Sequence, residues 1–308
     1  MTTSRALRIV FMGTPDFAVA SLNAILSSRH QVVAVVTAPD KPAGRGLKMH
    51  ESAVKIAAAN AGIAVLQPEK LKAPDFIDEL ESLQADAFVV VAFRMLPEVI
   101  WNMPALGSVN LHASMLPAYR GAAPIQRAII NGEKRTGLTV FRLQQEIDAG
   151  DVLGKVEIEI GENETAGELH DKMMDSGARL LLSVLNKIAD GTQQAIPQQQ
   201  LMPSGNLPTA PKIFREDCLL NWNLSMQEIH NKVRGLSPYP GAFTVLNGKS
   251  LKILRGEMLP DLPLSSDYEI REGKLLFRCA DGTYAATLIQ PEGKKVMSSE
   301  EFLRGWRG

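Results

Sequence analysis

Three short segments at the start of the chain decide what it can fold into. Leu7–Met12 is a compact apolar run closed by Gly13-Thr14-Pro15. Phe17–Ser28 carries Phe17, Ala20, Leu22, Ala24, Ile25 and Leu26 at helical spacing, with Asp16 placed to cap it. Gln31–Thr37 is a β-branched run. Strand, helix and strand in so short a span make a βαβ unit. The two strands must then lie parallel in one sheet, joined by a right-handed crossover. With 45% apolar and 22% charged residues, the chain has core enough to cover such a sheet. The turn after the first strand lacks the G-x-G-x-x-G pattern, so a dinucleotide pyrophosphate has no seat there.

The alternation continues. Ile63–Leu66, Ala87–Ala92 and the stretch beginning at Ser108 read as further strands. Glu51–Ala61, Asp75–Gln84 and Ala123–Asn131 read as helices, with a helical turn over Pro97–Asn102. Pro124 sits in a first turn, where its missing N–H costs nothing. Thr136–Gln144 and Val152–Ile160 alternate apolar and polar residues, as an extended pair around the loop Gln145–Asp151. Thr165–Ile188 is a long amphipathic helix that would close a domain over residues 1–190. Residues 191–211 hold Gly191, three consecutive glutamines and four prolines, the composition of a linker. Residues 212–308 begin with a helix over Ser225–Gly235. Short strands follow at Gly241–Leu246, Ser250–Arg255, Glu269–Gly273, Lys274–Cys279 and Tyr284–Gln290, with hairpin turns at Asn247-Gly248 and Asp281-Gly282. That density of strands suggests a small β-barrel.

Charge and cysteine content narrow the class. A net charge of −1 gives no global basic field for nucleic acid. Cys218 and Cys279 have no metal-ligand spacing and are too few for a disulfide framework, so no metal is expected. No apolar run approaches the roughly 20 residues that span a bilayer. A cytoplasmic protein with no membrane association is expected.

The chemistry gathers in Ser108–Gly121. Asn110 and His112 are two apart, which in a strand puts both on one face. An amide and an imidazole aimed at one point can hold a developing oxyanion and handle a proton. Taken alone, Asn-x-His is better read as a strand end with a satisfied histidine. The loop Ala38–Lys48 carries Lys41, Arg45 and Lys48 against Asp40 alone, with two prolines and two glycines that keep it irregular. Phosphate contact and a solvated connection both suit it. Asp148 suits either a turn-former or a carboxylate partner of the histidine, with Asp151 as a rival. Trp101, Trp222 and Trp306 are read as packing residues.

Four separated stretches resemble the folate-dependent formyltransferases: Phe11–Ala18, Pro39–Gly46, Asn110–Arg127 and Asp148–Asp151. They come in the family's order and at similar separations. The resemblance is strong over residues 1–190 and looser beyond. It implies a Rossmann-like, mostly parallel sheet with helices on both faces, joined by a linker to an OB-like C-terminal β-barrel that contacts tRNA. It implies formyl transfer from 10-formyltetrahydrofolate, leaving tetrahydrofolate, to the amino group of methionyl initiator tRNA through a tetrahedral intermediate. An amino sugar nucleotide is the alternative acceptor. Carried over by motif, Asn110, His112 and Asp148 are catalytic. Ser114, Met115, Leu116 and Pro117 line the folate site, and Lys41, Arg45 and Lys48 reach the tRNA. A monomer is expected. The chain departs from the family pattern at Ala92–Pro97, which is one residue shorter and has Arg94 at a glycine position.

Overall fold

The computed structural model describes residues 5–43, 48–202 and 205–305. They fall into two compact units. The first takes residues up to 120, 137–158 and 171–208, and the second takes 121–136, 159–170 and the chain from 209 onward.

A seven-stranded sheet dominates the first unit. Its strands are β1 Arg8–Gly13, β2 Gln31–Val36, β3 Val65–Leu66, β4 Ala87–Val91, β5 Ser108–His112, β6 Arg135–Arg142 and β7 Val152–Glu159, in the order β7-β6-β5-β4-β1-β2-β3. From β3 to β5 every neighbouring pair is parallel; β6 joins β5 antiparallel. The parallel core is thus the one that the opening βαβ unit demands. Successive residues of a strand face opposite sides. Ile9, Val10, Phe11 and Met12 are all fully buried, so both faces of β1 are covered.

The helices are α1 Asp16–Leu26, α2 Ala53–Asn60, α3 Pro74–Ser82, α4 Glu98–Trp101, α5 Pro124–Ile130, α6 Ala166–Ala189, α7 Met226–Gly235 and α8 Ser299–Arg304. Val10, Met12, Phe88 and Val90 form one core cluster with Phe76 and Leu80 of α3 and Ile100 of α4. Residues 171–189 of α6 cover other strand positions. A Cβ on Gly177 would fall 2.8 Å from Leu111 Cδ2, so glycine is what lets the helix approach β5. Asp16 is not the cap of α1. Pro15 is, and Asp16 stands in the first turn, where a carboxylate suits the positive end of the helix dipole.

Part of one stretch expected to be irregular is regular. Lys41–Ala43 and Lys48–His50 pair antiparallel, Lys41 opposite His50 and Pro42 opposite Met49. A two-stranded ribbon leaves one side of each strand without a partner, so it tolerates a proline that a central strand would reject. Residues 191–211, expected as a linker, pack with the first unit as far as Pro208. Val152 and Ile196 exchange both backbone hydrogen bonds, at 2.8 and 2.9 Å, and the Tyr119 N–H donates to the Pro208 carbonyl at 2.7 Å.

In the second unit, β8 Ala242–Leu246, β9 Lys249–Leu259, β10 Tyr268–Arg271, β11 Lys274–Cys279, β12 Gly282–Pro291 and β13 Met297–Ser298 form an antiparallel sheet in the order β8-β9-β12-β11-β10, with β13 on β12. The register of β9 against β12 slips between Ile253 and Gly256, an irregularity of the kind that sharpens twist. Ile229 and Val233 of α7 share a core with Leu251, Ile253 and Ile289. Trp222 stacks on Phe277 with ring centroids 4.3 Å apart, so it is a packing residue as expected; Trp306 lies outside the described residues. Asn247 and Gly248 both have positive φ, as a tight hairpin requires. The turn expected at Asp281-Gly282 falls on Ala280-Asp281, because Cys279 pairs with Gly282. The Asp281 carboxylate instead accepts from the Met226 N–H at 2.7 Å, in the first turn of α7, whose cap is Ser225. No helix among the described residues is long and apolar enough to cross a membrane.

Candidate active site

β5 lies between β4 and β6. Asn110 stands opposite Val90 and Phe141, and His112 opposite Thr139. The two side chains share a face, as their spacing requires. Asn110 is half-buried and His112 is buried. The His112 Nε2 lies 2.9 Å from the Tyr119 carbonyl oxygen. A carbonyl only accepts, so Nε2 carries the proton, and in the neutral ring Nδ1 is the bare nitrogen. Nδ1 faces Asp148 Oδ2 at 3.9 Å. That is ion-pair range and too long for a direct hydrogen bond.

Asp148 reaches this point from the loop between β6 and β7. Its φ is +53°, a conformation that aspartate tolerates better than most residues. Gly150 passes so close to Arg142 that a Cβ would fall 1.7 Å from its carbonyl oxygen. Asp151, the rival carboxylate, closes the hairpin through its own carbonyl, which accepts from the Arg142 N–H at 2.9 Å. The fold therefore separates two aspartates that the sequence leaves level.

The turn after β5 is held from within. Thr139 Oγ1 donates to the Ser114 carbonyl at 2.7 Å and accepts from the Leu116 N–H at 3.1 Å. Ser114 Oγ donates to the Ala118 carbonyl at 2.7 Å, and Lys155 Nζ to the Leu116 carbonyl at 2.7 Å. Burial pushes the Lys155 ammonium below its usual range. Ser114 and Leu116 are fully buried, and their backbone and hydroxyl groups build the turn. Pro117 is buried, and Met115 is the half-buried member of the four. Thr139, Tyr119 and Lys155 were not among the expected site residues. Only the register of β6 on β5, the place of β7 beside β6 and the path of the turn bring them in.

The basic segment is described in part. Lys41 is exposed on its ribbon; Arg45 and the side chain of Lys48 lie outside the described residues. Asp40 does not offset the local positive charge. Its carboxylate bonds Lys55 of α2 and, at 2.8 Å, the Gln67 amide. The hydrogen bond from Lys55 holds it below the usual carboxylate range. In the loop of residues 92–97 Ala92 adopts φ +48°, and the Arg94 guanidinium turns to the Pro68 and Glu69 carbonyls. Burial lowers its pKa.

Two family models match the chain, formyl transferase over residues 7–185 and formyl transferase, C-terminal domain over 212–307. The chain belongs to the formyl transferase family. The methionyl-tRNA formyltransferase of Bacteroides fragilis is 46% identical, with 97% of this chain and 95% of that one covered. That of Azobacteroides pseudotrichonymphae is 47% identical, with 99% and 97% covered. Among solved structures, the sugar 3N-formyl transferase WlaRD, determined in the presence of dTDP and 5-N-formyl-THF, superposes with a TM-score of 0.68 at 20% identity, covering 94% of this chain and all of that one. The two spans matched by the family models leave between them the stretch that holds Ile196, Gln198 and Pro208.

Proposed function

We propose that this formyl transferase moves the formyl group of 10-formyltetrahydrofolate to the amino group of methionyl initiator tRNA by direct attack. The approach of Asp148 Oδ2 to within 3.9 Å of His112 Nδ1 carries the reading. The names of the full-length relatives support the choice of acceptor.

The residues suit such a co-substrate. Asn110 and His112 offer polar groups for a formyl oxygen, and the half-buried Met115 thioether offers an apolar wall. When bound, the folate supplies a formyl carbon already attached to a nitrogen that can leave. The Asn110 amide donates to the formyl oxygen as negative charge grows there. His112 keeps its Nε2 proton on the Tyr119 carbonyl, so protons exchange through Nδ1. The attacking amine must lose a proton, and Nδ1 and the Asp148 carboxylate are the two basic sites that face each other. The departing nitrogen takes a proton from the same pair, so the enzyme ends as it began. Ser114, Met115, Leu116 and Pro117 line the folate site, and Ser114 and Leu116 also hold its turn. Lys41, Arg45 and Lys48, with the second unit, contact the tRNA, and the chain works as a cytoplasmic monomer.

The test offers labelled 10-formyltetrahydrofolate with methionyl initiator tRNA, methionyl elongator tRNA and amino sugar nucleotides in parallel. Transfer to the initiator tRNA is expected; transfer to a sugar nucleotide alone overturns the reading. His112→Ala and Asp148→Asn are each expected to lower kcat by on the order of 10²–10⁴, with tRNA affinity kept. Near-parental turnover in either variant removes that residue from the mechanism.

A further inference from the structure

Gln198 lies in the segment that the sequence marks as linker, yet it is 1% exposed. Its carboxamide oxygen accepts from Arg120 Nε at 3.2 Å and Nη2 at 2.7 Å. Its amide nitrogen donates to the carbonyls of Asp148 at 2.9 Å and Gly150 at 2.7 Å. Both hydrogens and both oxygen lone pairs are therefore used. The two sets of partners belong to the two arms of the site. Arg120 follows Tyr119, whose carbonyl fixes the His112 ring. Asp148 supplies the carboxylate, and Gly150 ends its loop where nothing larger fits. The chain on either side of Gln198 is tied to the same two arms, Ile196 to Val152 and Pro208 to Tyr119.

We propose that Gln198 is a positioning residue, whose carboxamide sets the distance between the Asp148 carboxylate and His112 by clamping the Asp148 loop to the end of the His112 turn. The inference rests on the catalytic reading of Asp148. The chemistry calls for a neutral amide. The group must donate twice to carbonyls on one side and accept from a guanidinium on the other. An ionised carboxylate accepts from the guanidinium but repels both carbonyls. An aliphatic side chain serves neither.

The experiment compares the full chain with Gln198→Ala, Gln198→Glu, Asp148→Asn and the double variant Gln198→Ala/Asp148→Asn. Formyl transfer is measured from about pH 5 to 8.5, with melting temperature read alongside. Gln198→Ala is expected to lower kcat on the order of 10²-fold, the scale of a misplacement of about 1 Å, while the KM for tRNA stays within about threefold. Gln198→Glu should be as poor at high pH. Its activity relative to the parent should rise toward acid, as the introduced carboxyl group gains a proton to donate. In the Asp148→Asn background, removing the amide should cost little further, because its effect passes through the carboxylate. Parental kcat in Gln198→Ala overturns the proposal. So does an equal fold-loss in both backgrounds, or a Gln198→Glu deficit that does not change with pH, since either would make the clamp merely structural. Full activity in Asp148→Asn overturns the catalytic reading itself, an outcome distinguishable from failure of the clamp alone.

Discussion

Replacing Gly150 by alanine puts a methyl group where the loop has no room. The new Cβ would sit 1.7 Å from the Arg142 carbonyl oxygen, 2.9 Å from its carbon and 3.3 Å from Phe141 Cδ2. A carbon and a carbonyl oxygen meet comfortably at about 3.3 Å, so one strand end must retreat by about 1.6 Å. Asp148 is two residues away, and its carboxylate stands 3.9 Å from His112 Nδ1. A displacement of that size is expected to lower kcat on the order of 10²-fold. Overpacking should also cost about 1–3 kcal/mol of stability, so a control with a similar cost is needed. Gly191 provides it. Its φ is +68°, and a methyl group there would meet nothing within 4 Å. Gly191→Ala therefore costs about 1–2 kcal/mol through backbone strain alone. The assay is steady-state formyl transfer with saturating substrates, paired with thermal melting. Both variants should melt early, and Gly150→Ala alone should turn over slowly. If Gly150→Ala keeps kcat within about twofold of the parent, the close packing of this loop does not set the catalytic geometry.

Thr139→Val keeps the shape of the side chain but removes the hydroxyl that serves both Ser114 and Leu116. It leaves a buried N–H without its acceptor, at about 1–3 kcal/mol. The melting temperature should fall and the KM for the folate should rise more than kcat drops; unchanged melting would show that the turn is held by other contacts. Burial pushes the His30 and His230 imidazoles below their ordinary value of 6.5, with Arg29 and Arg234 adding to the effect. The unfolded chain then binds protons that the folded chain refuses, so stability is full above pH 6.5 and falls as the pH drops below it. The slope cannot exceed about 2.7 kcal/mol per pH unit for the two groups together. Melting followed from about pH 7.5 to 5.5 should show the decline, and His30→Gln/His230→Gln should flatten it; an equal decline in that variant would assign it to other groups.

The site was legible where chemistry is carried by local spacing. Asn110 and His112 share a face because they are two apart in a strand. Asp148 needed more. As one of two aspartates in a glycine loop, it could be told from Asp151 only by the motif, until the fold brought its carboxylate to the histidine. Gln198 had no signal. It stands beside Gln199 and Gln200 in a polar run, and only packing buries the first and leaves the other two exposed. Ser114 and Leu116 carry more than their motif shows. Their place in it points to ligand contact, and the fold adds that their backbone and hydroxyl groups bond Thr139, Lys155 and Ala118. A similar limit moved the last hairpins. Asp281-Gly282 looks like a turn, but the Asp281 carboxylate bonds the first turn of α7, while the turn between β10 and β11 falls on Glu272-Gly273, both at positive φ.

By itself the sequence determined the parallel sheet, its helices and the shared face of Asn110 and His112. Those follow from hydrophobic periodicity and strand parity, which are properties of neighbours along the chain. The tertiary structure alone decided which aspartate faces His112, which ring nitrogen meets the Tyr119 carbonyl, and which glutamine joins the two arms. Each of those depends on polar groups far apart in sequence finding their partners in a buried space. No local pattern encodes that, because a hydrogen bond is made by position, and position here is the sum of the whole fold's packing.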